Sequence, residues 1–206
     1  MINAAISVDG KIALADGRGV RISNEEDLKR VHGLRASADA ILVGVGTVLV
    51  DDPKLTVKPA YAEGHEPLRV VLDSDGKTPE KAHVLDGSAP TLIVTSLDCD
   101  RTFARADVFR CGTDEVDLQV LLDHLDHRGI RSLLVEGGST VIWSFLRHRL
   151  ADELKVFVGS MVLGGTSSPT LAGGEGVRVL EDATRLRLDH AERLGNGLLL
   201  EYTVVR

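Results

Sequence analysis

The apolar residues of the chain fall into short runs that alternate with amphipathic segments. The runs are rich in Val, Ile and Leu and are shorter than a typical helix, which is typical of strands buried in a sheet. The pattern predicts strands at residues 2–7, 40–43, 68–72, 91–95, 132–135 and 153–158.

Three amphipathic segments between these strands predict helices. Ser23 opens a capping-box sequence, and we expect its side chain to accept the amide of Glu26 at the start of the first helix. Leu28, Val31 and Leu34 then recur at helical spacing, as the buried face of that helix would. A second helix carries leucines between 118 and 125 and can end at Gly129, and a third covers residues 139–149.

The C-terminal region has a different pattern. Residues 185–193 and 198–205 are two runs separated by Gly195-Asn196-Gly197, and an Asn-Gly pair suits a tight hairpin turn. Alternating strands and helices closed by a hairpin predict an α/β sandwich with a largely parallel sheet and an antiparallel edge. Residues 58–67 are long enough for a loop but not for a linker, so we expect a single domain over residues 1–206.

Composition and charge narrow the possible functions. The net charge of −7 argues against general nucleic-acid binding. No apolar run approaches the roughly 20 residues of a membrane span, and the first residues lack the basic and apolar regions of a secretion signal. Cys99 and Cys111 form neither a disulfide framework nor a metal motif, so we expect a cytoplasmic protein with reduced thiols and no metal.

The clearest chemical motif follows the strand at 132–135. Glu136 is succeeded by Gly137-Gly138 and then by Ser139 and Thr140 at the start of a helix. Glycines allow phosphates to approach the backbone, and free amides at a helix start bind anions. The alternative is a plain strand-to-helix turn with a serine cap. The motif is not G-x-G-x-x-G, so a two-half Rossmann domain is not expected.

Two further motifs carry candidate residues. Lys11 follows an Asp-Gly turn, where it could neutralise a phosphate or polarise a sugar oxygen, although such turns are commonly structural. Gly44-Val45-Gly46-Thr47 ends the strand at 40–43, and Asp51-Asp52-Pro53 follows, where the two acids could simply cap a turn. No nucleophile elbow, phosphate-binding loop or histidine pair at metal spacing occurs, which disfavours hydrolases and zinc enzymes.

Together these segments resemble one family, the pyrimidine reductases of riboflavin biosynthesis. The stretches that carry the resemblance are residues 7–13, 34–47, 51–57 and 135–138, and they occur in the family's order over nearly the whole chain. Bacterial members have an arginine where Lys58 stands, and Gly19-Val20-Arg21 is similar to the archaeal form. The zinc deaminase signature of the bifunctional bacterial members is absent.

The resemblance implies a dihydrofolate-reductase-like three-layer fold and NADPH as hydride donor, with NADH possible. It also implies a homodimer and a small phosphorylated pyrimidine substrate. Lys11 and Glu136 are implied to be catalytic, and substrate binding is implied for Arg35, Leu55, Lys58 and Glu136. Cofactor binding is implied for Ala5, Thr47, Asp51, Ser74, Gly137, Gly138, Ser139, Thr140 and Val141, within a run that extends to Ser144.

The implied reaction is reduction of the ribosylamino group of 2,5-diamino-6-ribosylamino-4(3H)-pyrimidinone 5′-phosphate. One alternative is a reductase that acts on the deaminated pyrimidine or on another pteridine-like compound. Another is a nucleotide-binding protein that keeps the scaffold without catalysis. The first would differ in substrate preference, and the second would bind NADPH without turnover.

Overall fold

The computed structural model describes residues 1–206 as nine strands and four α-helices. Short 3-10 turns occupy His83–Leu85 and Leu180–Asp182. None of the helices combines the length and the apolar composition that a membrane crossing needs. The strands are β1 (Ile2–Ser7), β2 (Ala40–Gly44), β3 (Leu68–Leu72), β4 (Thr91–Thr95), β5 (Asp107–Arg110), β6 (Leu133–Val135), β7 (Glu153–Gly159), β8 (Arg185–Leu194) and β9 (Gly197–Val205), and the helices are α1 (Glu25–Ser37), α2 (Val45–Asp51), α3 (Leu118–His127) and α4 (Ser139–Arg147).

The strands are hydrogen bonded in the order β5-β4-β3-β2-β6-β1-β7-β9-β8. β1 runs parallel to β6 and β7. The pairs β2–β3, β3–β4 and β4–β5 are also parallel. β9 is antiparallel to both β7 and β8. The predicted α/β class, mostly parallel sheet and C-terminal antiparallel hairpin are confirmed.

The chain forms two compact units, and the boundaries between them fall inside α1 and inside β6. We call residues 32–134 the continuous unit, and residues 1–31 with 135–206 the split unit. The expectation of a single reductase domain over residues 1–206 stays a prediction.

The continuous unit is built on β2, β3 and β4. Val70, Val71, Ile93 and Val94 are completely buried, as expected for parallel strands that are covered on both faces. The register pairs Gly44 with Leu72. The carboxyl ends of β2 and β3 therefore coincide, and the residues that follow them emerge side by side.

The split unit is built on β1 and β7, which pair along their whole length from Ile2 and Leu154 to Ser7 and Gly159. β6 pairs with β1 only through Val135, which lies beside Ile2. Because a strand rises about 3.3 Å per residue, β1 continues roughly 16 Å beyond the last residue of β6.

The start of α1 corrects one prediction, and the end of α3 confirms another. α1 begins at Glu25, and its cap is Asn24, whose Oδ1 accepts the Asp27 amide at 2.8 Å. The prediction of Ser23 as the cap was therefore wrong by one residue, and Ser23 instead donates its hydroxyl to Asp27 at 2.5 Å. Gly129 has φ +82° after α3, so the predicted left-handed stop is confirmed.

The pattern missed two elements. α2 has a glycine and three valines, which are poor helix formers, and the burial of Val48 supplies the packing that offsets this low propensity. β5 is a four-residue edge strand with charged residues at both ends, Asp107 and Arg110, so it has no apolar run to reveal it.

Arg69 of β3 is the largest side chain that is completely buried. Its Nε donates to Thr91 at 2.9 Å, and its Nη1 donates to Asp86 Oδ1 at 3.0 Å and to the carbonyl of Lys54 at 3.3 Å. The remaining acceptors are the carbonyls of His83 and Ala89 and the hydroxyl of Ser88. Each nitrogen of the guanidinium therefore has an acceptor, as a buried cation requires.

Arg69 also contributes to the charge state of Asp86. Hydrogen bonds from the side chain and the amide of Ser88 are the largest cause that holds the pKa of Asp86 well below its usual range, and the bond and charge of Arg69 act in the same direction. The carboxylate therefore stays ionised beside the guanidinium.

We expect Arg69→Met to lower the free energy of unfolding by about 3 kcal/mol, because three loop carbonyls lose a charged donor and Asp86 loses its cationic partner. Urea denaturation measures this change. Arg131→Met is the matched control, because Arg131 forms an ion pair with Asp126 between largely exposed side chains, which is worth less than about 1 kcal/mol. Equal losses in the two variants would contradict the role given to Arg69.

Candidate active site

Lys11 lies in a tight turn that follows the carboxyl end of β1. The Ser7 amide donates to the Lys11 carbonyl at 2.8 Å, and the Lys11 amide donates to the Ser7 hydroxyl at 2.9 Å. Ser7 is completely buried, so it fixes the backbone of the turn. The Lys11 ammonium is half-buried and donates to the Ser168 carbonyl at 3.4 Å.

The carboxylate of Asp9 anchors this turn. It accepts the Ser7 hydroxyl at 2.6 Å, the Leu163 amide at 3.0 Å and the Gly164 amide at 2.7 Å. These hydrogen bonds, led by that of Ser7, lower the pKa of Asp9 to about 2. Asp9 is thus a structural anchor beside Lys11, in a position where sequence reasoning recognised only an Asp-Gly turn.

Glu136 and the two glycines connect β6 to α4. Gly137 is buried and has φ +113°, a backbone conformation that favours glycine. α4 has Gly138 at its N-cap and no side-chain cap, and the first amides of a helix have no acceptor within it. The amides at Ser139, Thr140 and Val141 are therefore available to an anion, which the alternative of a serine-capped turn would not leave.

The predicted residues of the split unit are arranged along β1. Because Val135 is level with Ile2, Glu136 leaves the sheet near the amino end of β1, whereas Lys11 follows its carboxyl end. The strand between these levels, Asn3 to Ser7, is roughly 13 Å long and contains the half-buried Ala5. The turns that carry Lys11 and Glu136 thus flank a strand segment whose length is similar to that of a small ligand.

A single segment of chain joins these turns. The Ile12 amide donates to the Pro169 carbonyl at 2.9 Å, and Lys11 forms a bridge with Thr170. A few residues later, the Gly173 amide donates to the Ser139 carbonyl at 3.1 Å. The segment 169–173 therefore holds the Lys11 turn and the start of α4 in a fixed relation.

In the continuous unit, three predicted cofactor residues follow adjacent strands. Thr47 is half-buried in the first turn of α2, and Asp51 is exposed at its end. Ser74 lies two residues after β3, and its carbonyl accepts the amide and the hydroxyl of Ser96. Thr47 and Ser74 thus emerge from strands whose carboxyl ends are level, which is where ligands bind in open α/β sheets.

The predicted substrate residues Arg35, Leu55 and Lys58 are also brought together in the continuous unit. Arg35 of α1 donates to the Thr56 carbonyl at 3.3 Å. Leu55 has φ +54° and is only 2% exposed, so it offers almost no surface to a ligand. Lys58 is exposed, and with Arg35 it gathers positive charge in an otherwise acidic protein.

The buried side of α1 differs from the predicted one. Leu28, Val31 and Leu34 are only half-buried, whereas Asp27 and His32 are 0% and 3% exposed. The most buried positions of α1 are polar because Asp27 accepts from Ser23 and Arg30, and His32 accepts the Lys58 amide. Apolar periodicity does not reveal such residues.

Comparisons with known proteins identify the family of the chain. The RibD C-terminal domain family matches residues 1–200. The chain belongs to this family. It is 46% identical to 2,5-diamino-6-ribosylamino-4(3H)-pyrimidinone 5′-phosphate reductase of Methanothermobacter thermautotrophicus, over 99% of this chain and 97% of that one. It is 41% identical to the protein of the same name from Archaeoglobus fulgidus, over 95% of this chain and 93% of that one.

Among solved structures, the chain is similar to a deaminase and reductase of Thermotoga maritima. That protein is named diaminohydroxyphosphoribosylaminopyrimidine deaminase/5-amino-6-(5-phosphoribosylamino)uracil reductase. The TM-score is 0.84 at 29% identity, and the match covers 99% of this chain but 56% of the longer chain. This likeness confirms the expected dihydrofolate-reductase-like fold of a RibD reductase domain.

Asp9→Asn tests the anchor beside Lys11. The pKa of Asp9 is depressed from 3.8 to about 2, so its contribution to stability is present above the unfolded pKa and is lost as the pH falls through about 2. We expect wild type to melt at a higher temperature than Asp9→Asn at neutral pH, with a difference that shrinks as the pH falls below about 4. Thermal unfolding followed from neutral to acidic pH measures this, and a difference that does not vary with pH would be inconsistent with the anchor.

Proposed function

We propose that this protein is an NADPH-dependent reductase of riboflavin biosynthesis. Its substrate is 2,5-diamino-6-ribosylamino-4(3H)-pyrimidinone 5′-phosphate, and its product is the ribitylamino compound. The observation that carries the proposal is the split-unit geometry, in which Lys11 and Glu136 flank β1 beside an uncapped helix N-terminus. The names of the two archaeal relatives support the same substrate.

The residues present fit a dinucleotide cofactor. The Gly137-Gly138 turn has room for close approach, since a Cβ on Gly137 would meet only Ile142, at 4.0 Å. The uncapped amides of Ser139, Thr140 and Val141 would hold the pyrophosphate, and Thr47, Asp51, Ser74 and Ala5 would contact the rest of the cofactor. When bound, the nicotinamide supplies hydride chemistry that amino-acid side chains cannot provide.

The side chains of the protein would prepare the substrate carbon. C1′ becomes electrophilic when the ribose ring opens: the amine lone pair forms a C1′=N bond while the C1′–O4′ bond breaks, and O4′ takes up a proton. We assign the binding of the opening sugar and the management of its protons to Lys11 and Glu136, an ammonium donor and a carboxylate acceptor. Arg35 and Lys58 hold the 5′-phosphate by charge-assisted hydrogen bonds.

We further propose that the protein acts in the cytoplasm as a homodimer. Leu186, Leu188 and Leu198 are 40%, 54% and 41% exposed. The pairing of Leu186 with Val204 and of Leu188 with Tyr202 places all three leucines on one face of the hairpin. Exposed apolar side chains on one face of an edge hairpin favour association with a second copy. The cytoplasm is consistent with two free cysteines.

A turnover assay tests the function. Purified protein is given NADPH or NADH, with either the diamino substrate or its deaminated counterpart, and product is identified by mass spectrometry. We expect the fastest reduction with NADPH and the diamino compound. Faster reduction of the deaminated compound would support the alternative reductase, and coenzyme binding without turnover would support a non-catalytic protein.

Glu136→Gln tests the catalytic assignment. We expect kcat to fall by about 10²–10⁴-fold, the usual effect of losing a positioned proton-transfer group, while the melting curve stays that of the wild type. Glu181→Gln, at an exposed position, is the control and is expected to keep wild-type turnover. Near-normal kcat in Glu136→Gln would remove Glu136 from the mechanism.

Leu188→Lys tests the dimer face. We expect this variant to shift the molar mass measured by light scattering from dimer toward monomer, because a buried lysine would lack a partner. Leu97→Lys, at an apolar position of the continuous unit that is 58% exposed, should remain dimeric. A wild type that is monomeric at micromolar concentration would overturn the homodimer.

A further inference from the structure

The two cations that we assign to the substrate phosphate create a physical difficulty. Arg35 and Lys58 carry like charges, which repel each other when both approach one phosphate. Arg35 is carried by a helix, but Lys58 lies in a segment without regular structure that is followed by Pro59. Something must hold the backbone of this segment in place.

The structure shows how the segment is held. The Nδ1 atom of the buried His32 accepts the amide of Lys58 at 3.1 Å. Arg35, three residues further along α1, donates to the carbonyl of Thr56 at 3.3 Å. Because residues three apart lie on the same face of a helix, one turn of α1 binds two alternate backbone groups of the extended segment, one as acceptor and one as donor.

The aromatic ring of Tyr61 completes the arrangement. It stacks on His32 with ring centroids 5.1 Å apart and an angle of 18°, and the Lys58 ammonium lies 5.8 Å from the Tyr61 centroid. The Tyr61 amide donates to the Lys58 carbonyl at 2.9 Å, so the segment turns back over the histidine. His32 thus touches both the backbone of Lys58 and the ring beside its side chain.

The hydrogen bond also defines the state of the histidine. A backbone amide can only donate, so Nδ1 must be unprotonated, and in the neutral ring the proton is on Nε2. A leucine of similar size would keep the packing but could not accept, whereas an asparagine has its side-chain oxygen near the position of Nδ1. The two substitutions therefore separate the acceptor from the bulk of the ring.

We propose that His32 is a positioning residue that holds Lys58 in place for binding of the substrate phosphate. This inference rests on the proposed phosphate role of Arg35 and Lys58. It assigns no contact between His32 and the substrate, and it predicts an effect on substrate binding rather than on the chemical step.

Steady-state kinetics test the proposal. We expect His32→Leu to raise the substrate KM about three- to tenfold, the effect of losing one hydrogen bond, with kcat and the NADPH KM within about twofold of wild type. His32→Asn should recover most of the substrate KM. Arg35→Ala, which removes a phosphate ligand, should raise the substrate KM further. Equal substrate KM values in the leucine and asparagine variants, or a parallel rise in both KM values, would overturn the proposal.

Two measurements on the wild type do not depend on activity or on the folding of a variant. By amide hydrogen exchange, we expect the Lys58 amide to be protected and the Ala60 amide of the same segment to exchange freely. Titration with inorganic phosphate, followed by NMR, should shift the Lys58 amide. Unprotected exchange at Lys58 would overturn the role of His32, whereas phosphate binding at Lys58 without turnover of the pyrimidine would overturn the proposed function alone.

Discussion

A buried guanidinium fixes the course of one irregular segment of the chain. The segment between α2 and β3 has no helix or strand of its own, and its backbone includes two non-glycine residues with positive φ, Asp52 and Leu55. Arg69 binds the carbonyl of Lys54 between them and, from the same guanidinium, the loop that contains His83 and Asp86. The His83 amide in turn donates to the carboxylate of Asp52 at 2.7 Å. The conformation of the motif at residues 51–58 therefore depends on a cation that no substrate reaches.

The same principle operates in the split unit with the opposite charge. There the carboxylate of Asp9 binds a hydroxyl and two amides, and so fixes the turn that presents Lys11. In both units a charged side chain satisfies backbone groups of an irregular loop, and a proposed site residue lies nearby in the same loop. Loops that carry function need such internal anchors, because their backbone lacks the hydrogen bonds of regular elements.

Sequence patterns predicted the regular elements well and the anchors poorly. Apolar runs identified β1 to β4, β6 and β7 because each of these strands contains buried apolar residues. The same reasoning missed α2, whose helical state depends on packing, and β5, which has no apolar run. The roles of His32 and Arg69 were not predicted either. Their hydrogen-bond partners Lys58 and Thr91 lie more than 20 residues away along the chain, and the local sequence does not reveal them. Motif order predicted the candidate site, and the three-dimensional structure was needed to show that Leu55 is almost completely buried.

The way the chain divides between its two units has a consequence for biosynthesis. β1 precedes the continuous unit along the chain, but its partners Val135 and Leu154 are translated only after that whole unit. Residues 32–134 can therefore acquire native structure while β1 still lacks the strands on either side of it. Closing so large a loop is entropically costly and slow. Nascent β1, whose apolar residues lack their neighbouring strands until then, therefore needs protection from aggregation during synthesis.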